Sequence, residues 1–196
     1  MTPEALRAAL GHLGEGSSDF DLNPGTVLPE GRVLRDAAVL VPFLLDRGQL
    51  RLMLTKRSSR LRHHPGQIAF PGGKAEPGET AVQAALREAR EEVGLPSHAA
   101  EILGPLPPHE TVTGFTVTPV LALIDSFSVV PEPGEVDEVF TVPAPHVLTP
   151  AHFAVERRRW RGQWRRFYAV PYGPYYIWGA TARILRGLAD SVERIP

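Results

Sequence analysis

Glu88, Glu91 and Glu92 crowd onto one side of a segment that is typical of a helix. Like charges at this spacing destabilise a helix by about 0.2–0.5 kcal/mol per pair, so the cluster is unfavourable on its own. Carboxylate oxygens gathered in this way are suited to a hard divalent cation such as Mg²⁺ or Mn²⁺, which would relieve the repulsion. The ordinary alternative is a solvated acidic face with Arg87 and Arg90 as ion-pair partners.

The segment directly before the helix favours the metal site over the solvated face. The sequence FPGGKAEPGE, residues 70–79, brings glycines that allow a close approach of the backbone. It also places Glu79 beside the helix N-terminus. A glycine-rich turn that leads into an acidic helix is a combination that a merely solvated face does not require.

Capping signals define the helix itself. Thr80 and Gln83 fit a capping box at its start, and Gly94 ends it. At about 100° per residue, the apolar side chains share one arc: Val82, Ala85, Leu86, Ala89 and Val93. The glutamates fall on another arc. Ala81 and Ala84 are predicted on the acidic side, where small side chains would leave room beside the carboxylates.

Residues 73–95 resemble the Nudix box, G-x5-E-x7-R-E-U-x-E-E-x-G-U, in which U is a bulky aliphatic residue. The matching positions are Gly73, Glu79, Arg87, Glu88, Glu91, Glu92, Gly94 and Leu95. Ala89 stands in a U position, and since it lies on the packing face, this departure concerns core volume rather than chemistry. The resemblance implies an α/β (α+β) protein with the Nudix fold, a mixed β-sheet sandwiched between α-helices. It also implies hydrolysis of a nucleoside diphosphate linked to another moiety.

The same resemblance implies a role for each matching residue. Glu88 and Glu92 become the principal metal ligands, with the backbone carbonyl of Gly72 as a further ligand. Glu91 serves as an additional ligand or as the base, and Arg87 orients the glutamates. Glu79 joins Arg87 and Glu91 in the catalytic group. Two or more Mg²⁺ or Mn²⁺ ions can neutralise a diphosphate and lower the pKa of the attacking water, so no covalent nucleophile is required.

The loop upstream of the box indicates which diphosphate is cut. Its sequence is similar to the signature of coenzyme A pyrophosphatases, L-L-T-(S/A)-R-(S/A)-x3-R-x3-G-x3-F-P-G-G. The matching residues are Leu54, Thr55, Arg57, Ser58, Arg62, Gly66, Phe70, Pro71, Gly72 and Gly73. Met53 and Lys56 depart from it. By this resemblance the substrate is coenzyme A or a derivative, cut to 3',5'-ADP and 4'-phosphopantetheine. Arg57 and Arg62 are the expected phosphate contacts, with Gly66 shaping the loop.

A second basic contact is expected for the 3'-phosphate of coenzyme A. The candidates are the arginine-rich segment RRRWRGQWRRFY, residues 157–168, and the surroundings of Trp178 and Thr181. Arginines interleaved with aromatic residues are also typical of a nucleic-acid patch. The near-neutral net charge favours a hairpin with aromatic side chains inward and arginines outward.

Two further sets of residues are weaker candidates for a role in the site. His63 and His64 are adjacent, and we favour solvation of their side chains over metal ligation. Glu135 and Glu138 are further candidates for a base or an outer metal ligand.

Alternating strands and helices are predicted around these motifs. AAVLVPFLL and LRLMLTKR, joined by DRGQ, indicate a strand hairpin, and FTVTPVLALI and EVFTVP indicate two more strands. A helix is expected near PHVLTPAHFAVE and another in WGATARILRGLADSV. Residues 58–78 form a long loop, which inside a compact domain is usually functional. Strands mixed with helices predict a mixed sheet covered by helices.

Composition limits the remaining classes. The chain has 196 residues, 43% of them hydrophobic, with a formal charge of -1 and no cysteine. We expect a single domain over 1–196, in which 1–33 form an N-terminal helix and wrapping arm. The near-neutral charge and the lack of a long apolar run predict no nucleic-acid partner, no membrane partner and a cytoplasmic location. The Nudix resemblance implies a small-molecule substrate. No pattern indicates an oligomeric state. The competing functions are another Nudix specificity and a non-catalytic Nudix-like regulator that binds a nucleotide.

Overall fold

The computed structural model describes residues 1–28, 30–160 and 162–196; the side chain of Trp160 is also outside the described part. The helices are α1 (Pro3–Ala9), α2 (Ala81–Val93), α3 (Ala144–Val147) and α4 (Gly179–Glu193). The first strands are β1 (Ser17–Ser18), β2 (Arg35–Asp46), β3 (Gln49–Arg57), β4 (Ile68–Ala69) and β5 (Gly72–Lys74). The others are β6 (Ala100–Pro105), β7 (His109–Glu110), β8 (Phe115–Ile124), β9 (Val136–Pro143), β10 (Ala154–Trp160) and β11 (Gln163–Ala169).

A mixed sheet forms the centre of the molecule. Its order is β1-β7-β8-β2-β3-β4, with β5 on β2, β6 on β8 and β9 on β3. The pairing of β2 with β8 is parallel, whereas β2–β3 and β3–β9 are antiparallel. The β2–β3 hairpin and the strands β8 and β9 confirm the sequence prediction. β10 and β11 form a separate antiparallel hairpin.

Helices cover both faces of the sheet, as predicted. Because side chains alternate across a strand, neighbours such as Leu40 and Val41 enter different cores. On one face α2 packs on the sheet through Ala84, Ala85, Ala89 and Val93. On the other, α1 and α4 pack through Leu6, Ala9, Ala182, Leu185 and Leu188. The fold places α2 over β2 and β5, which determines where its acidic side lies.

The N-terminal arm, residues 1–33, is attached to the edge of the sheet. β1 pairs in parallel with β7. His109 is fully buried and contacts both Ser17 Oγ (2.9 Å) and Asp19 Oδ1 (3.2 Å). Farther along the arm, Asn23 exchanges hydrogen bonds with the backbone of Arg166 in β11 (both 2.9 Å). The arm therefore connects the main sheet to the hairpin.

Two sequence predictions of secondary structure were wrong in part. The helix expected near PHVLTPAHFAVE ends at Val147, and after a 3₁₀ turn at Pro150–His152 the chain enters β10 at Ala154. Pairing with β11 outweighs the helical tendency of this short segment. Residues 58–78 are not wholly a loop, because they contain β4 and β5. Two and three residues are too few to give a periodic pattern.

Candidate active site

The capping signals position α2 as the sequence predicted. Thr80 Oγ1 accepts a hydrogen bond from Gln83 N (3.3 Å), and Gln83 Oε1 accepts one from Thr80 N (2.8 Å). Gly94 ends the helix with a φ of 74°, in the left-handed region that favours glycine. The helix therefore has a fixed start and end relative to the sheet beneath it.

The interpretation of Ala84 was wrong. Its side chain is fully buried in the core between α2 and the sheet, so its small size serves close helix–sheet packing rather than space beside carboxylates. Glu92 is buried as well, with 4% of its surface exposed. The acidic arc is thus not one uniform surface, because Glu92 points toward the sheet while Glu91 remains exposed.

Arg87 joins the acidic side chains into one network. Its guanidinium donates to both oxygens of Glu79 (2.8 and 3.0 Å), to Glu88 Oε1 (2.9 Å) and to Glu91 Oε2 (3.2 Å). It also donates to the carbonyl of Lys74 (2.9 Å), which ties the helix to β5. The hydrogen bonds from Arg87 and from the Glu76 backbone lower the pKa of Glu79 to about 2. Arg87 therefore fixes the direction of three carboxylates.

Two adjacent glycines bring the β5 backbone against Glu88, which Arg87 also contacts, and against Glu92. A Cβ on Gly73 would lie 2.5 Å from the carboxyl carbon of Glu88, so any larger residue would displace this carboxyl. Gly72 N donates to Glu92 Oε2 (3.2 Å). Gly72 could not be replaced easily, because a Cβ would meet the carbonyl oxygen of Ala38 at 2.5 Å. The glycine pair is the reason that backbone and carboxylates share this small space.

Burial raises the pKa of both inward carboxyls, Glu88 and Glu92. Desolvation raises the pKa of Glu92 to about 8, against the opposing effects of its Gly72 hydrogen bond and of the Arg57 charge. Desolvation also raises the pKa of half-buried Glu88, although Arg87 opposes it. Such a shift marks a site where a buried carboxylate needs more positive charge than the surrounding residues supply.

These features fit a hard divalent cation. The donor set consists of oxygen atoms, and Glu92 has one hydrogen-bond donor and a costly buried charge. In the arrangement described, Glu88 and Glu91 direct oxygens at Arg87. Accordingly, no group of three acidic, histidine or cysteine side chains converges in a metal-binding geometry among the described residues, 1–28, 30–160 and 162–196.

Arg57 stands at the end of β3, beside the buried carboxylate. The register against β9 shifts between Lys56 and Arg57, and a bulge of this kind redirects a side chain. Arg57 Nε is buried and has no hydrogen-bond partner within the described part of the chain. A buried guanidinium nitrogen without a partner is costly unless a ligand completes it.

A cavity of about 360 Å³ opens between Arg57 and the hairpin. Its wall includes Gly72 and Phe70 on one side, and Trp178, Gly179 and Thr181 at the start of α4 on another. Arg158, Arg165 and Arg166 of the hairpin also line it. The sequence named the hairpin and the Trp178 region as separate candidates for binding the 3'-phosphate or adenine, and the structure brings them to the same cavity.

The hairpin prediction was correct in topology and wrong in orientation. β10 and β11 pair across the turn, but Trp164 is 62% exposed, and Arg158 and Arg165 share with Phe167 the face that lines the cavity. Arg161 and the Trp160 side chain, which the sequence assigns to the same hairpin, lie outside the described residues. Aromatic and charged side chains are therefore not separated onto opposite faces.

Comparison with known proteins agrees with this geometry. A NUDIX domain model matches residues 34–165. The chain belongs to the Nudix family. It is 44% identical over 164 residues to an uncharacterized Nudix hydrolase, NudL, of Enterobacter sp. (strain 638), covering 83% of this chain and 85% of that one. A NudL of Salmonella heidelberg (strain SL476) is 43% identical over 174 residues, 88% and 90% of the two chains. The protein is therefore a Nudix hydrolase, an enzyme of the pyrophosphohydrolase class.

Solved structures show the same fold. A Nudix hydrolase from M. smegmatis, RenU, superposes with a TM-score of 0.51 at 26% identity, over 61% of this chain and 83% of that one. A MutT/nudix family protein from Enterococcus faecalis gives a TM-score of 0.52 over 87% and 66% of the two chains. Its identity of 19% makes it a likeness of fold alone. The predicted Nudix fold is confirmed.

Gly66 and Arg62, which were predicted from the similarity to the coenzyme A pyrophosphatase signature, and the neighbouring His64 differ in their relation to the cavity. Gly66 has a φ of 69°, and its N–H donates to the carbonyl of Arg57 (3.1 Å), so it closes the loop onto β3. Arg62 is exposed in that loop and does not line the cavity. His64 does line it, and burial together with the charge of Arg57 lowers the pKa of its imidazole.

Glu135 and Glu138 occupy different environments. The charge of Glu135 contributes to the raised pKa of both Glu88 and Glu92, so it faces the carboxylate pair. Glu138 instead accepts a 2.5 Å hydrogen bond from the Tyr175 hydroxyl, which lies on a ring stacked against Phe140. Glu135 is the better placed of the two to act beside Glu88 and Glu92.

Sequence reasoning missed the contribution of the N-terminal arm to the cavity. Asp19 lines it, as do Thr111, Val112 and Thr113 in the turn before β8. Asp19 Oδ2 accepts from Val112 N (2.8 Å), which joins the two segments. No motif marks these residues, because they meet only through the pairing of β1 with β7.

In the part of the chain that the structure describes, no helix is long and apolar enough to cross a membrane.

Proposed function

We propose that this Nudix hydrolase cleaves the diphosphate bond of coenzyme A or a derivative, giving 3',5'-ADP and 4'-phosphopantetheine. One observation carries the proposal: a single cavity joins Gly72 and Arg57, beside the acidic helix, to the arginine-rich hairpin and Trp178. The first group suits a diphosphate, and the second suits the adenine nucleotide at its end. The register of the loop from Arg57 to Gly73 with the coenzyme A pyrophosphatase signature supports the same substrate.

The metal ions are proposed to be Mg²⁺ or Mn²⁺, held by Glu88, Glu92, Glu91 and the carbonyl of Gly72. When bound, such ions neutralise the diphosphate and lower the pKa of the attacking water. The residues of the chain prepare this site in two ways. Arg87 and Glu79 hold the exposed carboxylates in one direction, and the glycines of β5 admit the inward carboxylates.

Arg57 and Arg62 are the proposed phosphate contacts. For Arg57 the support is its buried, unpaired Nε at the cavity wall; for Arg62 it is the sequence register alone. Gly66 sets the loop turn that holds the Arg57 carbonyl. Since Asp19 of the N-terminal arm also lines the cavity, we include the arm in a single Nudix domain over residues 1–196.

Product analysis tests this function. The purified protein is incubated with Mg²⁺ or Mn²⁺ and, separately, coenzyme A, ADP-ribose, NADH and a dinucleoside polyphosphate, and products are identified by mass. We expect 3',5'-ADP and 4'-phosphopantetheine as the dominant products, and no reaction with metal chelated. Cleavage of another diphosphate while coenzyme A survives would overturn the substrate assignment and leave the metal site standing. If no substrate were cut, a nucleotide-binding regulator would be the better hypothesis.

A further inference from the structure

The hairpin places two arginines in direct opposition at the cavity. Arg158 of β10 and Arg165 of β11 are cross-strand partners. Side chains at such positions point to the same face, with Cβ atoms about 4.5–5.5 Å apart, and like charges there are destabilising. Both residues line the cavity. Two guanidinium groups side by side at the wall of a cavity suit an anion with several acceptor oxygens.

The charge of the cavity wall is strongly one-sided. The described lining residues include Arg57, Arg158, Arg165 and Arg166 but one acid, Asp19. The carboxylate of Asp19 accepts hydrogen bonds from Val112 N and contacts the ring of His109. Its carboxylate is thus engaged in the link between the N-terminal arm and the sheet, and basic side chains outnumber acidic ones among the described lining residues.

The neighbouring acid on the hairpin is engaged in the same way. Glu156 lies two residues from Arg158 on the same strand face and accepts a 2.5 Å hydrogen bond from the Tyr176 hydroxyl. Burial and this bond raise the pKa of Tyr176 to about 12, so the hydroxyl remains a donor at neutral pH. Glu156 is therefore held by Tyr176, and the charge of Arg158 also acts on that hydroxyl.

Aromatic side chains and a helix end stand beside the arginine pair. Phe167, next but one to Arg165, meets Trp178 edge-on with ring centroids 5.1 Å apart. Trp178 is the N-cap residue of α4 and makes no side-chain cap hydrogen bond, and Gly179 and Ala180 in the first turn of this 15-residue helix line the cavity. A π-face and helix amides next to paired guanidinium groups fit a purine nucleotide with its phosphate.

We propose that Arg158 and Arg165 bind a phosphomonoester on the ribose of the substrate, apart from the diphosphate that is cut. A phosphomonoester carries about -1.5 to -2 charges and three acceptor oxygens, which two guanidinium groups can satisfy. Arg57 belongs to a different wall, next to Gly72 and the glutamates, and is available for the diphosphate. The inference rests on the proposed function and makes this pair the determinant that distinguishes coenzyme A from its 3'-dephospho form.

A comparison of two substrates tests the pair. Values of kcat and KM are measured for coenzyme A and 3'-dephospho-coenzyme A with the wild type, Arg158→Gln, Arg165→Gln and the control Arg159→Gln. Arg159 is exposed, one position along on the opposite strand face, and contacts the Gly162 carbonyl. For coenzyme A, each cavity variant should lose about 10- to 100-fold in kcat/KM, mostly through KM, as for loss of a charge-assisted hydrogen bond. The loss on the dephospho substrate should be at least about fivefold smaller.

Equal losses on both substrates, or no loss, would overturn the subsite while leaving coenzyme A hydrolysis intact. If the wild type does not cleave coenzyme A, the proposed function fails. The subsite is then tested separately by calorimetry, which compares the affinity for adenosine 3',5'-bisphosphate with that for adenosine 5'-phosphate. A preference for the bisphosphate that Arg158→Gln removes and Arg159→Gln keeps would support it. Equal affinity for the two nucleotides would refute it. Circular dichroism and thermal unfolding exclude misfolded variants.

Discussion

The acidic side of α2 and the β10–β11 hairpin both concentrate like charges, but they handle them differently. On α2, Arg87 gives hydrogen bonds to Glu79, Glu88 and Glu91, so one guanidinium holds three carboxylates in a network. On the hairpin, Arg158 faces Arg165 across the strands, and both side chains line the cavity. The helix holds its like charges around an internal cation, whereas the hairpin places its like charges at the cavity.

This difference indicates what each region requires from a ligand. Around α2, three carboxylates share one guanidinium and Glu92 is buried at the Gly72 amide, which suits small cations beside a preformed network. The hairpin brings several arginines to a surface lined by aromatic rings, which suits a larger anion with an apolar part. Single substitutions on α2 and on the β10–β11 hairpin test this difference between the two regions.

The largest effect is expected at Glu92. Glu92→Gln keeps the shape and the Gly72 hydrogen bond but removes the charge that we assign to the metal. Since changing groups that only support a ligand costs about 10- to 100-fold, kcat should fall at least about a hundredfold. Steady-state kinetics and Mn²⁺ titration measure it, with Arg90→Gln on the same helix as the control. A near-normal rate for Glu92→Gln would remove it from the ligand set.

Gly73→Ala should separate activity from stability. The added Cβ would meet the Glu88 carboxyl at 2.5–2.6 Å, and because this is the flexible end of a side chain, the carboxyl can move away at little cost to folding. We expect a loss of about 10- to 100-fold in kcat, as for displaced support of a metal ligand. Thermal unfolding should change little. Gly134→Ala, where the nearest atom is 3.8 Å away, is the control; equal kinetics in both variants would contradict the role of Gly73.

The site was predictable from the sequence where its determinants are local. The capping box, the end at Gly94 and the spacing of the glutamates all lie within one helix, so periodicity and short-range hydrogen bonds define them. Ala84 was assigned incorrectly because an ideal arc does not show how deeply a helix sinks onto a sheet. The cavity could not be predicted, since Asp19, Arg57 and Arg158 come together only through sheet pairing and the docking of the hairpin.

When divalent cations are chelated, the stability of the protein should depend on pH because Glu92 is buried. Its folded pKa is about 8, above the ordinary value of 4.5, so the stabilisation from the protonated form is complete below pH 4.5 and is lost as the pH rises through 8. In EDTA the free energy of unfolding should fall over this window by on the order of a few kcal/mol. Denaturant unfolding at several pH values measures it. Glu92→Gln should flatten this part of the curve, and parallel curves for the two proteins would contradict the burial effect.

Arg87→Gln should be destabilising because it removes the compensation on α2. The guanidinium is 20% exposed and holds three carboxylates and the Lys74 carbonyl. Losing this network should lower the free energy of unfolding by about 1–2 kcal/mol at neutral pH, more than an isolated surface pair contributes. Urea unfolding with Arg90→Gln as the reference measures the difference. Equal stability of the two variants would mean that the network orients carboxylates without stabilising the fold.

The smallest effect, opposite in sign, is expected at the hairpin. Arg158→Gln removes one member of a facing like-charge pair, so the free energy of unfolding should stay level or rise by a few tenths of a kcal/mol. The gain should disappear in about 0.5 M salt, where charges at this separation are screened. Arg159→Gln, on the other strand face, controls for loss of one positive charge. If Arg158→Gln instead lowers stability by about 1 kcal/mol or more, the side chain is compensated within the fold, and the contrast with Arg87 that favours an external phosphate no longer holds.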